Sequence, residues 1–252
     1  MIIKFLGTGS AWPIPRIDCT CKLCKSQDKR DKRKRSSIFI QTERNNILVD
    51  VTPDFHWQAI EYEITKIDAV LITHAHQDHI GGLDELHEIY KLNKKQIPLY
   101  ATKETFKEIE SRFPWLFKKE LSFIELTGKI GFNDLTVDFL KVEHSTDTIG
   151  FIFEYKGKKV VYIPDCSKIR DKDKIHDADI FIIDSTREFG RKSDDLHISI
   201  EDAMKLAKEL NARETYLTHL GHHHERYEIL QKKVFEMGRF YVAYDGLEIK
   251  LF

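Results

Sequence analysis

Within six residues, His74-Ala75-His76-Gln77-Asp78-His79 brings together three imidazoles and one carboxylate. Two neutral imidazoles can anchor one borderline divalent metal, and a carboxylate with a third imidazole can begin a second site. His74 and His76 lie two apart, so in extended backbone they project to the same side. Asp78 and His79 come from the turn that follows. One loop cannot complete two metal sites. Three further ligand-type residues stand where apolar runs end. His144 follows Leu135–Val142, Asp165 follows Val160-Val161-Tyr162-Ile163-Pro164, and His219 follows Thr215-Tyr216-Leu217-Thr218.

Strands must carry these residues to a common edge. The apolar run Ala69–Thr73 reads as a strand delivering the hexapeptide, and Gly81-Gly82 then allows a sharp turn. Met1–Leu6 reads as a strand ending in the tight turn Gly7-Thr8-Gly9-Ser10. Ser37–Gln41 and Asn46–Val51 alternate as a hairpin does. Further strands are expected at Pro98–Ala101, Leu135–Val142, Gly150–Tyr155, Val160–Pro164, Ile180–Ser185 and Glu214–Thr218. Helices are expected at Leu83–Tyr90, Lys103–Arg112, Ser199–Leu210 and Glu225–Met237, with Ser199 as an N-cap. Tyr241–Ala243 and Glu248–Leu251 read as a closing hairpin around Asp245-Gly246.

The ordered set His74-x-His76-x-Asp78-His79, His144, Asp165 and His219 resembles the ligand series of the metallo-β-lactamase superfamily, and the resemblance spans nearly the whole chain. It implies an α/β fold, an αββα sandwich of the metallo-β-lactamase type, as a single domain over residues 1–252. It implies one metal on His74, His76 and His144 and a second on Asp78, His79 and His219, with Asp165 bridging. Asp78 counts as both a ligand and a catalytic carboxylate. The implied reaction is hydrolysis, in which a metal-bridging water loses its proton and attacks. Asp50 and Asp184, each at the end of an apolar strand, are candidates to orient ligand imidazoles.

Asp195-Leu196-His197-Ile198-Ser199 narrows the chemistry. It resembles the His-x-Ser segment carried by phosphodiesterase branches of the superfamily, tRNase Z among them, between the bridging Asp and the last metal His. His197 is therefore the candidate proton donor to a poor leaving group, since imidazole titrates in the right range.

Three of the four cysteines crowd into Cys19-Thr20-Cys21-Lys22-Leu23-Cys24. Three thiolates so close favour a tetrahedral metal and need a fourth ligand, for which His222, His223 and His224 are candidates. The pattern resembles the branch holding the phosphonate-pathway cyclic-phosphate phosphodiesterase and a cofactor-biosynthesis relative, whose members carry a structural zinc on such cysteines and a later His. Here that position is His222. Residues 15–36 would then form a zinc-binding and basic loop insertion. Cys166 reads as a small packed residue. His56, His87 and His176 read as structural.

Composition limits the partners. With 40 basic and 41 acidic residues the formal net charge is -1, which argues against bulk nucleic-acid or membrane binding. No apolar run reaches the roughly 20 residues that a membrane span requires. The basic run Lys25–Arg35 reads as a solvated segment, with an electropositive rim for a phosphate-bearing substrate as the sharper alternative. Together these features point to a cytoplasmic phosphodiesterase. It would use two zinc or manganese ions and one structural zinc on a small cyclic or linear phosphodiester. The alternatives are a tRNase Z-like RNA-processing nuclease and a non-hydrolytic metal-binding cofactor-pathway protein. A homodimer is suggested by resemblance alone.

Overall fold

The computed structural model describes all 252 residues. Fourteen strands form two seven-stranded sheets. In chain order they are β1 (Ile2–Gly7), β2 (Ser37–Gln41), β3 (Asn46–Val49), β4 (Ala69–Leu71), β5 (Ile97–Ala101), β6 (Leu121–Glu125), β7 (Ile130–Phe132), β8 (Leu135–Val142), β9 (Thr148–Tyr155), β10 (Lys158–Ile163), β11 (Ile180–Asp184), β12 (Glu214–Thr218), β13 (Phe240–Val242) and β14 (Glu248–Lys250). The helices are α1 (Phe55–Glu61), α2 (Gln77–Ile80), α3 (Leu86–Asn93), α4 (Lys103–Arg112), α5 (Ile200–Glu209) and α6 (Tyr227–Phe235).

The first sheet runs β14-β1-β2-β3-β4-β5-β6 and the second β13-β12-β11-β10-β9-β8-β7. Each sheet is antiparallel in one half and parallel in the other, with β3 to β6 and β10 to β13 forming the parallel halves.

Strand parity explains the layering. Ile38 and Ile40 of β2 face the second sheet and pack in a central core with Phe151, Phe153 and Tyr162. Phe39, between them, faces the other way and packs with Leu48, Val70, Leu86 and Ile109 under α3 and α4. In the second sheet Val161, Ile163, Phe181 and Leu217 pack against Ala203 and Met204 of α5 and Leu230 and Val234 of α6. Both sheets are thus apolar on two faces, and two helical layers cover them, giving the αββα sandwich. Each fully buried large apolar side chain contributes roughly 1.5–3 kcal/mol, so the central core holds the two sheets in a definite relative position.

Most of the expected elements form within a residue or two. The Ser199 hydroxyl accepts from the Asp202 backbone N–H and caps α5. The closing hairpin does not form. β13 pairs in parallel with β12 in the second sheet, whereas β14 pairs antiparallel with β1 in the first. Asp245-Gly246 is a crossover between sheets, and local alternation carries no record of which sheet a strand joins. Strands β6 and β7 and helix α1 were not foreseen. Gly81 and Gly82 both have negative φ, so backbone freedom is not why they are glycine. Space is: a Cβ on Gly82 would lie 2.0 Å from the Thr52 carbonyl oxygen.

The basic run is not simply solvated. Asp31 is 1% exposed and Arg33 4%. Arg33 Nη1 donates to the Thr8 hydroxyl and the Ala243 carbonyl, and Asp31 accepts from the Tyr227 backbone N–H at 2.6 Å. Arg35 pairs with Asp54 at 3.0 Å. Asp31 and Arg33 point inward and tie this loop to α6 and to the end of β13.

Candidate metal centre

The carboxyl ends of the strands deliver the candidate ligands to one edge. The segment after β4 carries His74 and His76, α2 carries Asp78 and His79, and His144, Asp165 and His219 follow β8, β10 and β12. His74, His76 and His144 form one group and Asp78, His79, Asp165 and His219 another, with the candidate ligand atoms of each group all within 4.8 Å of one another. In the first group Nε2 of His74 lies 3.0 Å, and Nε2 of His144 3.2 Å, from Nδ1 of His76. In the second, Nε2 of His79 lies 2.6 Å from Asp165 Oδ2 and 3.3 Å from Asp78 Oδ2. Asp165 Oδ2 also lies 3.6 Å from His74 Nε2, so this carboxylate sits between the groups.

The outward nitrogens are anchored, which aims the other nitrogen of each ring inward. Nδ1 of His79 meets Asp50 Oδ2 at 2.7 Å. Nδ1 of His74 meets the Thr73 hydroxyl at 2.9 Å, and that hydroxyl donates to Asp50. Asp50 therefore stands behind two rings at once. Asp184 repeats the device in the other sheet. The Thr186 hydroxyl donates to Asp184 Oδ1 at 2.6 Å and faces His219 Nδ1 at 2.9 Å. Nδ1 of His144 meets the Leu196 carbonyl at 2.8 Å, and Nε2 of His76 meets Ser145 Oγ at 3.1 Å. Thr73, Thr186 and Ser145 were missed from sequence. Thr73 had a signal, directly before the motif, but a hydroxyl at a strand end is too common to stand out.

Two backbone positions are strained to achieve this. Asp50 (φ 61) and His219 (φ 58) lie in the left-handed region, which non-glycine residues seldom occupy. Both follow a parallel strand and turn a side chain into the cluster, so the surrounding structure offsets a local cost of order 1–3 kcal/mol.

The inward atoms face one another without ordinary hydrogen-bond geometry. Nε2 of His79 and of His219 and both carboxylate oxygens of Asp165 are buried and make no hydrogen bond of that kind, although imidazole nitrogens crowd Asp165, that of His79 at 2.6 Å. A buried carboxylate left without hydrogen bonds costs folding free energy unless a cation meets it. Burial, then the neighbouring His79, push the His74 imidazole well below its ordinary pKa, which favours the neutral ring that a metal requires. Burial opposes the charged form of Asp165, but the imidazoles of His219 and His79 outweigh it and hold the carboxyl well below its usual range. Imidazoles and carboxylates in these proportions suit zinc, manganese or iron.

His197 lies at the same edge, before α5. Its Nδ1 is 2.9 Å from Asp184 Oδ2 and 3.3 Å from Asp165 Oδ1. Burial opposes protonation of this ring, but Asp184 and Asp165 raise it to about 10 in the metal-free chain.

A second cluster joins Cys19, Cys21, Cys24 and His222, again within 4.8 Å. His222 Nδ1 lies 3.5 Å from Cys19 Sγ and 4.0 Å from Cys24 Sγ. His223 is exposed. His224 is buried, with Nε2 at 3.1 Å from the Thr186 carbonyl. Of the three candidates, His222 alone reaches the thiols. Cys166 is fully buried. His56 and His87 pair with Glu85 and Glu120, away from both clusters.

Comparison with known proteins follows the same lines. The model of a family described as the β-lactamase superfamily domain matches residues 45–220. An octanoyltransferase of Porphyromonas gingivalis is 32% identical over 96% of this chain; the match covers 50% of that protein, so the chain spans about half its length. The exodeoxyribonuclease YycJ of Bacillus anthracis is 25% identical over 82% of this chain and 89% of its own length. A crystal structure of a diphosphatase from the PhnP family superposes with a TM-score of 0.90 at 28% identity, covering 100% of this chain and 98% of that one.

Proposed function

The chain belongs to the β-lactamase superfamily domain family, and on that premise we propose that it is a dinuclear metal-dependent phosphodiesterase acting on small cyclic or linear phosphodiesters. His74, His76 and His144 would hold one divalent ion, zinc or manganese, and Asp78, His79 and His219 the other, with Asp165 placed between the two groups. When bound, the metals supply an acidified water as nucleophile and charge relief for the phosphoryl oxygens.

The protein's own groups do the rest. Asp50 and Asp184 hold rings at fixed angles through the contacts described above, which lowers the reorganisation needed at reaction. Asp78 serves as ligand and as acceptor for the proton of the attacking water. The observation that carries the phosphodiesterase reading is His197: Asp184 Oδ2 holds its Nδ1 at 2.9 Å. The other ring nitrogen, Nε2, is therefore the one offered to a leaving oxygen, which takes its proton there. A poor alkoxide leaving group requires such a donor. Cys19, Cys21, Cys24 and His222 hold a closed structural zinc that ties the loop insertion, residues 15–36, to the segment after His219. Four cysteines without a disulfide suit a reducing, cytoplasmic setting.

The test is a panel of cyclic and linear phosphodiesters, including bis(p-nitrophenyl) phosphate, with zinc- and manganese-loaded protein. Turnover of a small diester supports the reading. A loaded protein that hydrolyses none of them refutes it and favours a non-hydrolytic scaffold. The similarity to an exodeoxyribonuclease over 82% of the chain favours a nuclease as second reading. Its signature is binding that falls steeply with salt, because a polymer contacts several phosphates.

A further inference from the structure

A cleft of about 270 Å³ opens beside the metal centre, with Trp12, Arg16, Arg187, Arg191 and His197 among its walls. His197 belongs to both places, so whatever departs from the metal centre past this ring enters the cleft. The volume lies just below the usual range for small-molecule sites, about 300–1,000 Å³, and suits one small ligand in a partly open cleft rather than a polymer.

The charges in the cleft are unequal. Arg187 pairs with Asp194 at 2.6 Å, and Arg191 lies 3.7 Å from Glu188. Arg16 has no carboxylate partner; its Nη1 is 3.4 Å from His222 Nε2. A free guanidinium on the wall of a cleft is an anion site in waiting, and its planar fork matches phosphate. Arg16 is also well placed by its backbone. Its N–H donates to Cys24 Sγ at 3.4 Å, and its carbonyl accepts from the Cys19 N–H at 3.1 Å.

Trp12 supplies the second element. Its side chain is 62% exposed, yet the turn bearing it is anchored. Arg35 Nε donates to the Ala11 carbonyl at 3.0 Å, and the Ser10 N–H donates to the Leu220 carbonyl at 3.2 Å. The Arg16 guanidinium lies over one face of the indole, 5.3 Å from its centroid. An exposed indole on a fixed backbone, its second face open and a guanidinium without a carboxylate partner on its first, offers a stacking platform and an anion hook together.

We propose that this cleft is a leaving-group subsite for a nucleotide, with its phosphate on Arg16 and its base stacked on Trp12. The proposal rests on the phosphodiesterase reading and deepens it: the departing half of the substrate is a nucleoside monophosphate. Water adds to the attacked phosphorus, the P–O bond to a ribose oxygen of the nucleotide breaks, and that oxygen takes its proton from His197. The products are a phosphomonoester and the free nucleotide. Trp12 and Arg16 are specificity residues that never touch the attacked phosphorus.

The test is binding of AMP to the metal-loaded protein by titration calorimetry, with ribose 5-phosphate as the ligand that lacks a base. Trp12→Ala should weaken AMP about tenfold, as loss of one base–aromatic stack predicts, and leave ribose 5-phosphate unchanged. Trp12→Phe should restore most of the loss. Arg16→Met should weaken both ligands by a similar factor, while its backbone contacts to the cysteines remain. Unchanged AMP affinity in Trp12→Ala, or equal loss for both ligands, overturns the subsite. Turnover of bis(p-nitrophenyl) phosphate by loaded protein separates the two levels. Turnover without AMP binding sinks the subsite alone. AMP binding without turnover of any diester sinks the leaving-group role together with the reading beneath it.

Discussion

Asp50→Asn is expected to weaken metal binding while leaving the fold in place. Asp50 is fully buried and sits at φ 61, a conformation that Asn tolerates better than most residues. The Thr73 backbone N–H donates to Oδ1 at 2.8 Å, and the amide oxygen of Asn can keep that bond. What is lost is the acceptor at Oδ2. The Nδ1–H of His79 faces Oδ2 at 2.7 Å, where the amide nitrogen of Asn can only donate, and a hydrogen bond to a carboxylate contributes about 1.5–3 kcal/mol. The metal-free chain should therefore lose about 2 kcal/mol. Metal affinity should fall further, because the carboxylate both orients His79 and makes its inward nitrogen a better donor. Loss of such a support typically costs 10–100-fold in affinity, which is about 1.4–2.7 kcal/mol. Competition with a chromophoric chelator measures the affinity, and denaturant unfolding of the metal-free protein measures the fold. Unchanged affinity with an intact fold would show that Asp50 does not act through His79. Unfolding weakened by several kcal/mol would show that its role is structural.

Other perturbations separate the remaining parts. His197→Ala should lower kcat by about 10²–10⁴ for an alkyl phosphodiester and by far less for a p-nitrophenyl ester, whose oxygen leaves unprotonated; equal losses on both substrates would remove the acid role. Cys21→Ser should release one metal equivalent, read by elemental analysis. Loss of a structural zinc should also lower Tm, because its binding free energy is part of the folding free energy; an unchanged metal content counts against the closed site. Asp245 is buried, and burial raises its carboxyl to about 6 against the donors from Lys34 and Thr8. The native state thus holds this proton more tightly than the unfolded chain, so its contribution is full below about pH 4 and is lost as pH rises through about 6. The stability of the parent relative to Asp245→Asn should shrink by about 3 kcal/mol between these limits. A difference independent of pH in denaturant titrations would contradict that burial.

Much of the centre was legible in the chain because its signals are local. His74 and His76 share a side by strand parity, and the apolar runs before His144, Asp165 and His219 mark strand ends. The same parity argument located most strands, since alternation needs only neighbours. Other features required the folded chain. The pairing of β13 and β14 with opposite sheets depends on which edge is free, so the expected hairpin was wrong. Asp31 and Arg33 looked solvated in a run of charges; only their distant partners at Tyr227, Thr8 and Ala243 make burial tolerable. The choice of His222 over His223 and His224 is one of direction, set by the turn after β12.

Residue types and periodicity alone located the candidate ligands and most of the strands, and the resemblance carried by those residues implied the two-sheet architecture. Tertiary structure decided how those residues are aimed: Asp50 and Thr73 behind His74 and His79, Asp184 and Thr186 behind His219 and His197, and Trp12 beside Arg16 on the wall of a cleft. The physical reason is range. Propensity and parity act over a few residues, whereas orienting a ring requires a hydrogen bond from whatever element packing brings near, and sequence spacing does not encode that neighbour.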